Sequence, residues 1–534
     1  MKKSSLGLIV ENIRLPISCD DEDITRAAIK KLSAFSGLGA PTRLEIYKRS
    51  VDARKKESIC FVCSVYAQVP CSENIDIEKL KSAGIKEKVL SSPEFVSGNE
   101  KMSAPPVVIG FGPAGMFSAL LLAKYGYRPI VLERGGSVNE RVACVSKFYE
   151  KGELTEDTNI QFGAGGAGTF SDGKLTTRIN DPYVHFVLET LRDMGAPEDV
   201  VFKAKPHIGT DVLRKVVENF HREIERFGGM VLYNSKVTAF DSGFVVLNGE
   251  KLQSGATVAA CGHSARDIYR YVTDSGFAVE PKPFSVGVRI EHLQRDIDRA
   301  MYGREELAEK LGHAEYALSL RRGERGVYTF CMCPGGTVVA AASERGGVVT
   351  NGMSEHSRDG RNANAAIAVS VLPSDYGNNV DGAVEFQRQL ERAAFENGGR
   401  NYFAPCQSVG DFLSGKKGKI PSRVAPSYMD GKVTAADFNG LFPEYVSSML
   451  KAGITDFGKK IKGFDAPDIP LTGVETRTSA PMRILRNTET LEAIGHEGVY
   501  PCGEGAGYAG GIVSAAVDGL RVAGKIIEKF RPID

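Results

Sequence analysis

The sequence predicts a doubly wound α/β protein whose parallel-sheet domain is interrupted by an insertion. Its 534 residues are too many for one ordinary core, so several domains are expected. From Val107 to about Pro283, apolar strand-like runs alternate with helical segments, as in a parallel sheet with helices on both faces. A second glycine-rich turn into a helix returns only after Thr472. The C-terminal segment is therefore expected to rejoin the first sheet.

The domain boundaries follow from the places where these patterns change. Residues 1–100 show a βαββ pattern, compatible with a small ferredoxin-like α/β domain. Residues 101–283 and 464–534 are assigned to the discontinuous Rossmann-like domain. Residues 284–463 mix strands, helices and loops, and we assign them to an inserted α+β domain that would hold a substrate.

The segment Val107–Gly115 has the sequence V-V-I-G-F-G-P-A-G, in which Gly110, Gly112 and Gly115 match a dinucleotide-binding G-x-G-x-x-G. Gly110 permits the tight turn after a strand, Gly112 lets backbone approach a pyrophosphate, and Gly115 allows close helix–strand packing. The helix predicted to follow, over Met116–Ala123, would turn its positive end toward the diphosphate. Pro113 and Ala114, in the turn before it, are further candidate binding residues.

An acidic residue at the expected distance strengthens this interpretation. Glu133 lies 23 residues after Gly110, at the end of the apolar run Pro129–Leu132, where a carboxylate can accept hydrogen bonds from ribose hydroxyls. The alternative is a glycine-rich turn that binds no ligand. The combination of strand, glycines, helix, strand and acid favours the nucleotide site.

The segment Gln161–Gly173 contains five glycines in thirteen residues. Such a density lets backbone amides converge on a flat or anionic ligand. The alternative is a flexible surface loop, although Phe162 and Phe170 would be unusual in a solvated one. The candidate binding residues are Gly165, Gly166, Thr169, Phe170 and Ser171.

A third glycine-rich segment, Tyr500–Ile512, follows a strand-like run and precedes a helix. Glu504 can accept from a ribityl hydroxyl, and the helix start near Ile512 would face developing negative charge. In a flavin this is the N1/O2 side of the ring. The alternative is an ordinary turn into a C-terminal helix. The candidate binding residues are Gly503, Glu504, Gly510, Gly511 and Ile512.

Three residues are candidates for a catalytic role in the pocket. His292 and Arg289 share the run Arg289-Ile-Glu-His, and Arg477 lies among the hydrogen-bond donors of the turn Thr476–Ser479. His263, just after a strand end, is a further candidate for proton transfer. A lone histidine is more often structural, so that interpretation stays open for both histidines.

The ten cysteines follow no disulfide-framework spacing. Cys60 and Cys63 form a C-x-x-C, but they lie in a strand-like run in which their side chains would point to opposite faces, so buried thiols are the preferred interpretation. Cys331 and Cys333 share one face of a strand-like segment. They are either a catalytic dithiol or buried thiols. A catalytic thiolate needs an electropositive setting, which the sequence does not show. Motifs of zinc hydrolases, serine hydrolases and P-loop proteins are missing, and no metal site is expected.

The charge balance gives no electrostatic case for nucleic acid or for an anionic membrane. The chain has 67 basic and 66 acidic residues, a formal charge of +1. No apolar run approaches the ~20 residues that span a bilayer, and Gly7–Val10 is too short for the apolar core of a signal peptide. We expect a cytoplasmic protein without nucleic-acid or membrane partners. The sequence makes no prediction about its oligomeric state.

Taken together, these motifs resemble the FAD-dependent oxidoreductases of the glutathione-reductase-like FAD superfamily. The chain is most similar to the poorly characterised bacterial FAD-dependent dehydrogenase group. The resemblance runs from Val107 to the C-terminus and rests on a set of short motifs. They are V-V-I-G-F-G-P-A-G with E-R-G, F-G-A-G-G-A-G-T-F-S-D-G-K-L, C-G-H-S-A-R-D, N-G-M-S, G-V-E-T-R-T-S-A-P and P-C-G-E-G-A-G-Y-A-G-G-I.

This resemblance implies FAD as cofactor and assigns roles to further residues. Arg134 and Arg141 would lie near the diphosphate, and Val237 would offer its backbone to the adenine. Cys261-Gly262 stands where such proteins usually have A-T-G, a departure at the cysteine that leaves the role of the glycine intact.

The resemblance also implies the reaction, a hydride transfer between an unidentified small-molecule substrate and flavin N5. A second complete nucleotide fingerprint is missing. The strings Gly163–Gly168 and Gly505–Gly510 lack the required strands and acid. NAD(P)H stays open as a donor that would bind in another way. The alternative function is a flavoprotein without turnover, which uses FAD as a structural or sensing element.

Overall fold

A computed structural model describes residues 5–71, 75–90 and 92–533. The N-terminal unit has the element order β-α-β-β-α-β, which is that of a ferredoxin-like unit. Its antiparallel sheet has the spatial order Arg43–Asp52, Cys60–Pro70, Ser5–Pro16, Ile85–Glu87. The two helices are Asp21–Leu32 and Ile77–Ser82.

The N-terminal unit is joined to the remainder of the protein through its edge strand. The Arg49 amide donates to the Phe202 carbonyl at 2.7 Å, and the Ala204 amide donates to the Arg49 carbonyl at 2.9 Å. This strand therefore does not present all of its backbone groups to solvent.

The central domain is built on a five-stranded sheet in which all neighbouring strands are parallel. Short strands that are apolar and buried on both faces are typical of such a sheet. The order is Val499–Pro501, Thr257–Ala259, Val107–Ile109, Ile130–Leu132, Met230–Leu232. The first of these strands comes from the C-terminal segment, so this domain is discontinuous in sequence.

Helices cover this sheet, and a small antiparallel sheet lies beside it. The helices are Pro113–Lys124, Val138–Lys151, Val184–Asp193, Thr210–Arg226, Arg266–Asp274 and Ile512–Lys529. The small sheet consists of Val237–Asp241, Phe244–Leu247 and Glu250–Gln253. Two-stranded pairs join Glu100–Lys101 to Phe530–Arg531 and Val279–Pro281 to Met482–Ile484. Short 3₁₀ helices span Gly166–Phe170 and Glu198–Val201.

The inserted domain is built on a seven-stranded sheet, antiparallel except at its last pair. The order is Ser319–Arg322, Arg325–Cys333, Asn362–Val371, Phe284–Leu293, Pro470–Glu475, Ala404–Ser408, Val433–Ala435. Strand Pro470–Glu475 pairs within this sheet, so the insert extends past residue 463, where the sequence analysis ended it. We call residues 284–475 the insert.

The remaining elements of the insert pack around this sheet. Its helices are Gln294–Tyr302, Ala308–Leu311, Val380–Gly398, Val409–Ser414 and Glu444–Lys460. Strands Thr337–Ala340 and Thr350–Met353 form a separate pair. The 3₁₀ helices are Glu305–Leu307, Pro373–Tyr376 and Tyr428–Gly431. Across the described residues, no helix combines the length and the apolar character needed to cross a membrane.

Candidate functional site

A cavity of about 330 Å³ lies between the parallel sheet and the insert. It is lined by segments that follow each of the five parallel strands, and by parts of residues 161–176, which include the second glycine-rich segment. The insert contributes Phe330, Cys331 and Asn351. Ligands of doubly wound folds bind at the carboxyl ends of the strands, which is where this cavity opens.

The first glycine-rich turn has two glycines that the protein's own packing requires and one that faces the cavity. Gly110 has φ +100°, and a Cβ there would collide with the Ala260 carbonyl oxygen. A Cβ at Gly115 would collide with the Gly110 carbonyl oxygen. A Cβ at Gly112 would meet only the Gly166 Cα, at 3.8 Å. Gly112 therefore leaves room for a ligand close to the backbone.

Two helix N-termini converge on this cavity. Helix Pro113–Lys124 starts after Gly112 and helix Ile512–Lys529 after Gly511, and neither start has a side-chain cap. The first amides of a helix have no intrahelical partner and carry its positive end. Gly112, Pro113, Ala114, Gly510, Gly511 and Ile512 all line the cavity. The cavity thus offers two separate places for negative charge.

Glu133 is buried at the cavity wall, where its carboxylate accepts hydrogen bonds from three backbone amides. One oxygen accepts from the Phe111 amide at 2.8 Å, and the other from Gly135 at 3.0 Å and Gly163 at 2.9 Å. A carboxylate has about four acceptor positions. One position is therefore left for a ligand hydroxyl.

The two arginines expected near a diphosphate are engaged elsewhere. Arg134 reaches the cavity wall, yet it is paired with Asp267 at 3.0 Å and stacks over Phe162 at 4.4 Å. Arg141 is fully buried away from the cavity lining and donates to backbone carbonyls at 2.7–2.8 Å, including those of Asn159 and Ala164. The prediction for Arg141 is wrong, because carbonyl oxygens of residues 159–164 accept its hydrogen bonds and it does not line the cavity.

The glycine-rich segment contributes part of its predicted residues to the cavity wall. Gly166 and Ser171 line the cavity, and a Cβ at Gly166 would lie 3.0 Å from the Gly112 Cα. The Gly165 amide donates to the Phe111 carbonyl at 2.8 Å, which joins this segment to the first turn. Gly165 thus shapes the loop from behind the wall.

Thr169 and Phe170 also lie behind the wall, which corrects their expected role as ligand contacts. The Thr169 hydroxyl donates to the Ala164 carbonyl at 3.0 Å. The Phe170 ring lies between the guanidinium groups of Arg141 and Arg214, at 4.8 and 5.0 Å. Both side chains are buried and hold the 3₁₀ turn in place.

Residues from the other strand ends complete the wall of the nucleotide domain. Val237, Cys261, Gly262 and Glu504 line the cavity. Burial raises the pKa of the Cys261 thiol to about 12, so this cysteine stays protonated. Gly503 is buried beside the lining, where its amide donates to Asp518 at 2.7 Å.

His292 does not reach the cavity, so its predicted catalytic role is wrong. It lies in the core of the insert, with Nε2 donating to the Phe464 carbonyl at 3.0 Å. Burial lowers its pKa to about 4, which keeps the ring neutral. Its side chain and that of Arg289 are three residues apart on one strand and therefore point to opposite faces.

Arg289 is likewise outside the cavity lining, contrary to its predicted catalytic contact. It is fully buried and forms a bidentate pair with Glu475, at 2.8 and 3.0 Å. It also donates to the Cys331 carbonyl and the Asn351 side chain, each at 2.8 Å, and to Asn364 at 3.1 Å. Since all five donors are used, Arg289 positions two residues that do line the cavity.

Arg477 lines the cavity as predicted for a pocket residue, with its charge shared in a buried cluster. The Glu391 carboxylate accepts from Arg477 at 3.0 Å and from Arg266 at 2.7 Å. Burial, followed by the charge of Arg266, lowers the pKa of Arg477. The Arg477 carbonyl accepts from His263 Nε2 at 3.0 Å, and His263 also lines the cavity.

A buried ion cluster that no sequence motif indicates lies at one end of the cavity. Asp172 accepts from Lys174 at 2.6 Å and from Arg358 at 2.5 Å, and Arg358 reaches Glu315 at 2.7 Å. Burial disfavours the charged amine, yet the two carboxylates keep the pKa of Lys174 above its usual value. Lys174 lines the cavity. The motif S-D-G-K places the first two residues, whereas no spacing reveals Arg358 or Glu315.

Comparisons with known proteins fit the chemistry of this site. A family model described as "FAD-dependent protein, C-terminal domain-like" matches residues 283–478, and a domain of unknown function matches residues 9–68. An uncharacterized protein of Clostridium beijerinckii is 47% identical over 539 residues, covering 98% of this chain and 99% of the relative. The chain belongs to the same family as this relative. The match to the FAD-dependent family model confirms the prediction of FAD as cofactor.

Solved structures with a similar course of the chain are remote from this FAD-dependent protein. CtdE in complex with FAD is 11% identical with a TM-score of 0.33, over 80% of this chain and 83% of that one. Glycine oxidase from Geobacillus kaustophilus is 11% identical with a TM-score of 0.32, over 80% and 95%. At these values neither neighbour carries an argument about activity. No group of three or more candidate metal ligands occurs among the residues that the structure describes.

Proposed function

We propose that this FAD-dependent protein is an oxidoreductase that moves a hydride between a small-molecule substrate and flavin N5. The observation that carries the proposal is the pair of uncapped helix N-termini, after Gly112 and Gly511, at one cavity. Each of these positive helix ends can face one anionic region of FAD. The two regions are its diphosphate and the N1/O2 edge, which becomes negative on reduction. The bound flavin supplies the two-electron chemistry.

The lining residues orient the cofactor across the cavity. Gly112 would hold the diphosphate against the first helix, and the free acceptor position of Glu133 would take a hydroxyl of the adenosine ribose. Val237, in the cavity wall, would offer its backbone to the adenine. The helix that begins at Ile512 would turn its positive end toward the N1/O2 edge and favour negative charge there.

The insert would cover the isoalloxazine end of the cofactor and supply the substrate side. Asn351, Arg477 and Thr478 line this side, and Arg289 holds Asn351 from behind. His263 donates its Nε2 proton to the Arg477 carbonyl, which leaves Nδ1 as an acceptor. His263 is therefore the imidazole placed to take a proton from a bound substrate.

Membership of the dehydrogenase group within the glutathione-reductase-like superfamily is part of the same proposal. It is supported by the motif set that runs from the first glycine-rich turn to the last. These motifs identify neither the direction of the reaction nor the electron acceptor.

Anaerobic reduction of the bound flavin tests the proposal. The purified full-length protein is mixed with NADH, with NADPH and with panels of small alcohols, amines and hydroxy acids, and bleaching of the flavin band is followed. We expect one donor class to reduce the flavin, and His263→Asn to slow that reduction at unchanged FAD content. A colourless protein that takes up no added FAD overturns the proposal. A flavin reduced by dithionite and by no donor supports the alternative flavoprotein without turnover.

A further inference from the structure

Two cysteine thiols meet at the wall of the FAD cavity. Cys331 and Cys333 end the strand Arg325–Cys333, and their sulfurs are 4.0 Å apart. Side chains two residues apart in a regular strand are separated by roughly 6–7 Å along the strand. The shorter distance arises because the register shifts between Phe330 and Cys333, and Cys331 has φ +44°. The backbone irregularity therefore brings the two sulfurs together.

The two cysteines differ in their access to the cavity. Cys331 is half-buried and lines the cavity beside Phe330. Cys333 is fully buried, with its sulfur 3.3 Å from the Cys331 carbonyl oxygen. An accessible thiol with a buried partner is the arrangement of an attacking and a resolving cysteine.

The electropositive setting that the sequence does not show is present in the structure. Arg289 donates to the Cys331 carbonyl at 2.8 Å, and Lys174 lines the same cavity. The hydrogen bond from Cys333 lowers the pKa of Cys331, and Arg289 and Lys174 add to this effect against burial and the charge of Asp172. Cys331 is thus a thiolate near neutral pH, whereas burial keeps Cys261 and Cys502, also in the lining, protonated.

We propose that Cys331 and Cys333 form a reversible dithiol–disulfide couple that exchanges two electrons with the flavin bound in this cavity. The inference rests on the proposed flavin site. The Cys331 thiolate and the Cys333 thiol form one S–S bond and release two electrons and the Cys333 proton. Oxidised FAD accepts both electrons and that proton, giving FADH⁻, so charge and atoms balance. The sulfurs close from 4.0 Å to about 2.05 Å.

An anaerobic dithionite titration of the holoenzyme, first oxidised with diamide, tests this couple. Wild type is expected to take up about four electron equivalents per FAD, and Cys331→Ser and Cys333→Ser about two, because a disulfide is a two-electron couple. Cys144→Ser, at a cysteine outside the cavity, is the control and should keep the wild-type value. A wild type that accepts only about two equivalents overturns the inference.

A measurement on the thiols separates this inference from the proposed flavin chemistry. Alkylation and intact mass after diamide treatment should show a Cys331–Cys333 disulfide in wild-type protein, with or without FAD. Free thiols at both positions overturn the couple even where donors reduce the flavin. If the disulfide forms but the wild-type protein takes up no added FAD, the flavin site and the electron exchange are overturned together. Since the mass is read on wild type, a variant that fails to fold does not affect this result.

Discussion

The carboxylate of Glu133 accepts a hydrogen bond from the backbone amide of Phe111 at 2.8 Å. This bond joins the end of strand Ile130–Leu132 to the turn that follows the neighbouring strand Val107–Ile109. The same carboxylate holds the amides of Gly135 and Gly163. A single side chain thus fixes the positions of three backbone segments around the cavity.

Glu133→Gln is expected to weaken FAD binding about 10- to 100-fold, because an amide group replaces one acceptor oxygen with a donor that faces a backbone N–H. The measurement is the fluorescence of flavin released on dilution. Glu153→Gln, at an exposed carboxylate paired with Lys147, serves as control and should bind FAD as wild type does. Equal affinity of the Glu133 variant and wild type would contradict the assignment.

Gly112 and Gly115 form a matched pair of substitutions to alanine. Gly112→Ala has room for its Cβ in the empty protein and is expected to change unfolding free energy by no more than about 1 kcal/mol, while FAD binding is lost. Gly115→Ala collides with the Gly110 carbonyl and should destabilise the protein by about 1–3 kcal/mol or more. Urea unfolding and flavin content distinguish the two. The idea fails where Gly112→Ala keeps full affinity.

The carboxyl group of Glu344 makes the free energy of unfolding depend on pH in the acid range. Burial opposes its ionisation, yet Arg388, Arg266 and Arg477 hold its pKa at about 2, below the ordinary 4.5. The folded-state pKa is depressed, so its stabilisation is present above about pH 5 and is lost as pH falls toward 2. Urea midpoints between about pH 5 and pH 3 should fall more steeply for wild type than for Glu344→Gln. Glu385→Gln, in the exposed pair with Arg392, should follow wild type, and parallel slopes for all three would refute the prediction.

His292→Leu separates the core histidine from the cavity histidine. The change leaves the Phe464 carbonyl without its donor, which should lower the unfolding free energy by about 1–2 kcal/mol. The rate and pH profile of flavin reduction should stay as in wild type, whereas His263→Asn should alter both. Stopped-flow absorbance of the flavin measures this, and a pH profile that changes with His292 would restore its catalytic role.

Local features of the site could be predicted from sequence, because neighbours in the chain create them. The turn at Gly110 and Gly115 is determined by sterics within a few residues, and the position of Glu133 by one strand–helix–strand unit. Strand alternation alone could have shown that Arg289 and His292 point to opposite faces.

Long-range pairing explains what the sequence did not reveal. Strand Pro470–Glu475 belongs to the insert because it pairs with Phe284–Leu293, nearly the full length of the insert away. Arg141 has the side chain of a typical phosphate ligand, yet backbone carbonyls of Asn159 and Ala164 accept its hydrogen bonds. The Cys331 setting likewise depends on Lys174, which lies on a separate segment.

Helices Pro113–Lys124 and Ile512–Lys529 touch so closely that a Cβ at Gly519 would collide with the Ala114 carbonyl oxygen. Neither helix can slide along the other without losing this contact, so their positive ends keep a constant spacing. The cavity therefore fixes the distance between the two places at which a ligand can put negative charge against these helix starts. A ligand that reaches both helix starts must span this distance, so the length of the cofactor contributes to its selection.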